Sequence, residues 1–141
     1  MHQKTMFFLG LIVEMLLVRA AFGIEQCPVT EADTEKAGSY VQAVEATVQM
    51  APNCERAFRI TEACEFGDSK TNRLLEIVES KCEPLFLPRV GSATRKAYAK
   101  AKDRCDDIAR RSPGTMYQSF SAVCRAGAAA DFAHKYGQRK R

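Results

Sequence analysis

Two cysteines with a helix-breaking turn between them constrain this chain more than any other feature. Segment 105–124 begins and ends with cysteine and has Ser112-Pro113-Gly114 near its middle. Proline and glycine do not continue a helix at low cost, so the chain is expected to turn there. Each cysteine lies roughly eight to ten residues from the turn, which places both at a similar height in an antiparallel helix pair. The segment therefore predicts a helical hairpin closed by a Cys105–Cys124 disulfide, with two buried free thiols as the alternative.

The spacing of apolar residues predicts one face for each arm of this hairpin. Steps of three and four residues keep side chains on the same side of a helix. The first arm has these steps at Thr94, Tyr98, Ala101, Cys105 and Ile108. The second arm has them at Met116, Phe120, Val123 and Gly127, with Cys124 at the border of the face.

The N-terminus has the layout of a signal peptide. A basic start precedes the apolar run 6–13, and small residues stand before a cut after Gly23. Glu14 interrupts the apolar run, whereas a membrane-spanning helix needs about 20 apolar residues. We predict a cleaved signal peptide at residues 1–23 and no transmembrane span in the mature chain. An uncleaved N-terminal anchor is the alternative.

The six cysteines all follow residue 23. An even number in a small exported chain indicates three disulfides, which fifteen pairings can satisfy. The second and third predicted helices turn near Gly67, and this turn places Cys54 and Cys82 at similar heights. We therefore pair Cys54 with Cys82. Cys27 and Cys64 are then paired by elimination.

The remaining sequence predicts helices only, and no segment has the alternation of β-branched residues that is typical of strands. The expected helices begin near Thr30 or Thr34, Cys54, Asp68 or Ser69, Ser92, and Thr115. Proline or glycine ends most of them, including a stop at Glu83-Pro84. We predict an all-α fold for residues 24–137: a small disulfide-stapled bundle of about five helices.

No residue set is predicted to catalyse a reaction or to bind a metal or cofactor. Cys-x-x-Cys is absent, and His134 is the single histidine after the signal peptide. Asp131 can pair with His134, but no serine or thiol is placed to use them, and cysteines in disulfides cannot act as thiolates. Asp106 and Asp107 point about 100° apart on a helix, and we interpret them as a solvated face. We predict a protein that is not an enzyme.

Two other stretches stand out by their composition, since one is mostly apolar and the other is mostly basic. Residues 84–91 form an apolar connector that is predicted to cap the core, with a protruding binding loop as the alternative. Residues 138–141 form a basic tail, which we interpret as a solvated terminus, with contact to an anionic envelope surface as the alternative. Without the signal peptide the chain has 19 basic and 16 acidic residues, a net charge of +3. It lacks the aromatic interleaving typical of nucleic-acid binding, so no such partner is predicted.

The hairpin also resembles a known family. Arg104-Cys105, Gly114-Thr115-Met116-Tyr117 and Cys124-Arg125-Ala126 are similar to the C-terminal half of small exported bacterial proteins grouped with the LprI-type lysozyme inhibitors. The likeness covers residues 95–136. It implies a bacterial periplasmic, surface or secreted protein that binds a lysozyme without catalysing a reaction.

A net charge of +3 gives such an inhibitor no long-range attraction to a basic lysozyme. It would therefore have to place a local loop into the acidic cleft. Arg89-Val90-Gly91 and Ser112-Pro113-Gly114 are the two candidate loops.

Two further functions remain open. One is an envelope-associated structural or interaction domain that uses the basic tail. The other is a carrier for an apolar ligand, as in six-cysteine helical odorant-binding proteins. Those proteins have their second and third cysteines three residues apart, whereas nine residues separate Cys54 from Cys64 here. An apolar cavity of several hundred Å³ would favour the carrier.

Overall fold

The structure, a computed structural model, describes residues 26–64 and 69–137. The predicted signal peptide at 1–23, the predicted turn near Gly67 and the basic tail at 138–141 lie outside the described residues. The described part contains six α-helices and no strand, so the predicted all-α, disulfide-stapled fold is confirmed. The helices are α1 (Glu31–Ala37), α2 (Tyr40–Met50), α3 (Cys54–Ala63), α4 (Ser69–Phe86), α5 (Ser92–Arg111) and α6 (Thr115–Tyr136), with a short 3-10 helix at Leu87–Arg89.

The first predicted helix is divided in two at Gly38. This glycine has φ 85°, a left-handed conformation that ends α1, and its N–H donates to the carbonyl of Glu35. The Ser39 side chain then accepts a hydrogen bond from the backbone N–H of Gln42 and caps α2. Apolar spacing continues across the break, which is why the sequence pattern predicted a single helix.

Helix α4 continues past the predicted stop at Pro84 and ends at Phe86. Proline removes one helical hydrogen bond and crowds the preceding turn. Here it lies in the last turn, where burial of Phe86 offsets the loss, since burying such a side chain contributes about 1.5–3 kcal/mol. The predicted core-capping role of the connector is therefore correct for Phe86.

An aromatic cluster forms the centre of the core between α4, α5 and α6. The rings of Phe86 and Tyr98 meet edge to face at 4.9 Å between centroids, and Phe132 lies 5.7 Å from Phe86. Helix α6 contributes mainly small buried residues to this core. Small side chains allow the backbones of α4 and α6 to approach closely.

Three disulfides connect neighbouring segments, and they are the three pairs predicted from the sequence. Cys105–Cys124 joins α5 to α6 with a Cα–Cα distance of 5.4 Å. Cys54–Cys82 joins α3 to α4 at 5.0 Å, and Cys27–Cys64 attaches the N-terminal arm to the end of α3 at 4.8 Å. No cysteine remains free, which is typical of proteins that fold in an oxidising environment.

Candidate binding surface

The end of the α5–α6 hairpin, residues 110–120, projects into solvent. Pro113, Gly114 and Thr115 are exposed, and Gly114 has φ 133° and ψ 155°, a conformation that is essentially restricted to glycine. The two arms behind this turn are joined by the Cys105–Cys124 disulfide. We call residues 110–120 the hairpin end, and its geometry is fixed by a turn and a cross-link.

Two large apolar side chains of the hairpin end are exposed. Met116 is 55% exposed and Phe120 is 52% exposed, and they lie one turn apart on α6. The ring of Tyr117 contacts that of Phe120 edge to face at 6.3 Å. Exposed apolar side chains that lie next to one another make the hairpin end a candidate contact surface.

The predicted apolar face of α6 is therefore wrong at Met116 and Phe120. The buried positions of the helix are Ser121, Ala126, Ala129 and Ala133. The predicted apolar residues and the buried small residues both recur at helical spacing, but only the small residues allow α6 to approach α4 closely. The alanine spacing was the signal in the sequence that would have located the buried face.

Two arginines directly precede the turn. Arg110 donates to Asp103 at 2.9 Å and to Asp107, so its charge is largely compensated. Arg111 has a side chain that is 80% exposed, and its nearest carboxylate is that of Asp107 at 3.7 Å. Arg111 is therefore the cation that the hairpin end presents to a partner.

The second candidate loop, residues 89–91, is held against the protein. Arg89 donates to the carbonyl of Gly137 at 2.9 Å. Arg95 donates to the carbonyl of Leu87 at 3.1 Å. These bonds occupy the cation of the loop and fix the connector, which favours residues 112–114 over residues 89–91 as a protruding element.

A network of ion pairs fixes the inner side of the hairpin to α4. Arg125 makes a two-pronged contact with the Glu79 carboxylate, at 2.9 and 3.1 Å, and donates to Asp106 at 3.2 Å. Lys102 bridges Glu79 at 2.9 Å and Glu83 at 2.8 Å. This network is not predictable from local sequence patterns, because its partners come from three different helices.

The network also sets the protonation of its members. Hydrogen bonding to Glu79 raises the pKa of Arg125. Burial alone would raise the pKa of Glu83, but hydrogen bonds from Lys102 and Tyr98 outweigh it and hold the pKa below its ordinary value. Burial and the hydrogen bond to Glu83 raise the pKa of Tyr98. Arg125 and Glu83 are therefore charged at neutral pH, and the ion pairs of the network support the hairpin as a rigid unit.

The remaining polar residues singled out in the sequence do not come together. Asp107 pairs with Arg110 of the same helix and Asp106 pairs with Arg125 of α6, and their side chains are 34% and 36% exposed. Asp131 and His134 are exposed on α6. In residues 26–64 and 69–137, no group of three or more histidine, cysteine, aspartate or glutamate side chains is arranged to hold a metal ion.

A groove between α2 and α4 has a volume of about 560 Å³. It is open to solvent, and its lining combines the apolar Val41 and Leu74 with Glu45, Lys70 and Arg73. Such an open groove of mixed character differs from the enclosed apolar cavity that a carrier of apolar ligands requires. None of the described helices has the length and apolar character needed to cross a bilayer.

Comparison of the chain with protein-family models, with curated proteins and with solved structures finds no match.

Replacing Gly114 with alanine is expected to lower the free energy of unfolding by about 1–3 kcal/mol, because a side chain there strains the backbone. The matched control is Gly91→Ala at the start of α5, where an added Cβ has no atom within 4 Å. In the control, alanine stabilises the protein by reducing the conformational freedom of the unfolded chain, but it caps the helix less well than glycine. Because these effects oppose each other, the free energy of unfolding should change by less than about 0.5 kcal/mol. Urea unfolding of both variants measures the difference. Equal stabilities would contradict the turn geometry.

Proposed function

We propose that this protein is a non-catalytic binding protein of the bacterial periplasm or exterior that inhibits a lysozyme through its hairpin end. The observation that carries the proposal is the exposure of Arg111, Met116 and Phe120 on a turn fixed by a disulfide. The oxidised state of all six cysteines supports export.

The chemistry of the hairpin end matches that of a lysozyme cleft. Such a cleft carries two carboxylates, one of them against an apolar wall. A guanidinium such as that of Arg111 binds a carboxylate through paired hydrogen bonds. Met116 and Phe120 supply the apolar area that commonly anchors a contact inside a pocket. A rigid turn also loses little entropy on insertion.

Muramidase activity measured with increasing purified, oxidised protein tests the proposal. We expect stoichiometric inhibition by the wild-type chain. The variant Arg111→Glu/Phe120→Glu should inhibit at least about tenfold more weakly, because both substitutions remove an anchor and oppose the acidic cleft. Both positions are exposed, so the variant should remain folded.

The matched control is Met50→Glu/Arg73→Glu, which makes the same charge change at exposed positions of α2 and α4. It should inhibit like the wild-type chain. No inhibition by wild-type protein in stoichiometric excess would disprove lysozyme as the partner. Equal weakening in both variants would disprove the hairpin end as the contact.

A further inference from the structure

The outward face of α5 carries a second feature, distinct from the hairpin end. Lys96, Lys100 and Arg104 are all exposed and lie four residues apart. This spacing places them on one side of the helix, along about 12 Å of its length. We call these three residues the basic stripe.

No described residue neutralises the basic stripe. Its three side chains have no hydrogen bond or ion pair with any residue of the described ranges. Asp103 and Asp107, which follow Lys100 and Arg104 by three residues each, are held by Arg110. The carboxylates beneath α5 are engaged by Lys102 and Arg125, as described above. The ion pairing within the fold thus leaves cations in excess on the outer surface.

Charge is also divided unequally along the chain. Residues 92–136 contain nine basic and four acidic side chains, a net charge of +5. Residues 26–64 contain three basic and six acidic side chains, a net charge of −3. This asymmetry attracts an anionic partner to the hairpin and repels it from the N-terminal helices.

The surroundings of the basic stripe favour a linear partner over a membrane. Ala93 and Ala97, which precede Lys96 and Lys100 by three residues each, are exposed, so small side chains lie beside these two cations. Helices that lie on a bilayer carry large apolar side chains that enter the lipid, and the basic stripe has none. A single row of cations on the convex surface of a helix matches a linear chain of anions more closely than it matches a flat membrane surface.

The cations of the basic stripe are suited to phosphate as the anion. Two of the three residues are lysines, which bind phosphate oxygens as point charges. Arg104 adds a planar guanidinium, which binds phosphate through paired hydrogen bonds. We propose that the basic stripe is a binding site for a linear, phosphate-bearing polymer. This proposal holds whether or not the hairpin end inhibits a lysozyme, because the two surfaces share no residue.

Binding of inorganic polyphosphate to the purified, oxidised protein tests the site. With three cation–phosphate contacts, the logarithm of the association constant should fall with the logarithm of salt concentration with a slope of about −2. The variant Lys96→Ala/Lys100→Ala/Arg104→Ala should bind at least about tenfold more weakly. Alanine is the best helix former, so α5 should be retained in this variant.

The control variant Lys36→Ala/Arg59→Ala/Arg73→Ala removes three exposed cations from α1, α3 and α4. This control loses as much positive charge as the first variant but keeps the basic stripe. Its affinity for polyphosphate should therefore stay within about twofold of the wild-type value. Equal losses in both triple variants, or no binding at low salt, would overturn the site. Polyglutamate bound as tightly as polyphosphate would overturn the preference for phosphate. Binding to anionic phospholipid vesicles without binding to polyphosphate would overturn the linear partner.

Discussion

Replacing Phe86 with alanine is expected to lower the free energy of unfolding by about 4 kcal/mol, since such truncations of buried aromatic residues cost about 3–5 kcal/mol. The side chain of Phe86 is 0% exposed. It contacts Tyr98 from α5 and Phe132 from α6, so its loss opens a cavity where three helices meet. Urea unfolding followed by circular dichroism under oxidising conditions measures the change.

The neighbouring residue supplies the control. Leu85 belongs to the same helical turn but is 39% exposed. Leu85→Ala should therefore cost no more than about 1 kcal/mol. If the two variants lose equal stability, the aromatic cluster is not the centre of the core, and the extension of α4 through Pro84 loses its explanation.

Removing the Cys54–Cys82 disulfide with Cys54→Ala/Cys82→Ala should destabilise the protein by about 3.5 kcal/mol, the loop-closure entropy for a separation of this size. The bridge closes 28 residues and joins α3 to the central helix α4. Both cysteines are buried, so the loss of packing adds to the loss of the cross-link. The same urea experiment measures the effect.

A single variant controls for the pairing itself. In Cys54→Ala, the partner Cys82 becomes a free thiol that is fully buried. It should react with a maleimide only when the protein opens, and one thiol should be labelled in denaturant. Labelling of any other cysteine, or a loss below about 1 kcal/mol in the double variant, would contradict this bridge.

The disulfides were predictable because helices behave as rods of known rise. Counting residues from a turn gives the height of each cysteine, and a bridge requires a short Cα–Cα distance. Cys54 and Cys82 lie at equal heights, whereas Cys64 and Cys82 do not. The same reasoning located the hairpin around residues 112–114.

The orientation of α6 was not predictable from periodicity. A stripe with Met116 and Phe120 and a stripe with Ala126 and Ala133 both have helical spacing. Hydrophobicity favours burial of the first, but close packing against α4 requires the second. Which face of α6 is buried depends on the shape of α4, and the local sequence of α6 does not reveal that shape.

The ion-pair network was missed for a related reason. Local patterns reveal pairs three or four residues apart on one helix. Arg125 and Glu79 are 46 residues apart, and they meet only because α4 and α6 pack together. The interpretation of Asp106 as part of a solvated face missed its ion pair with Arg125, because Arg125 reaches it from another helix. Which cations remain free on α5 likewise became clear only from the three-dimensional pairing.

The central claim is that cross-links between neighbouring segments make the hairpin a rigid element for binding. Non-reducing peptide mapping by mass spectrometry tests it most directly, because trypsin places each of the six cysteines on a different peptide. We predict that peptide 105–110 is joined to peptide 112–125, with Cys54 joined to Cys82 and Cys27 to Cys64. Cys105 recovered as a free thiol, or joined to any cysteine other than Cys124, would contradict the account.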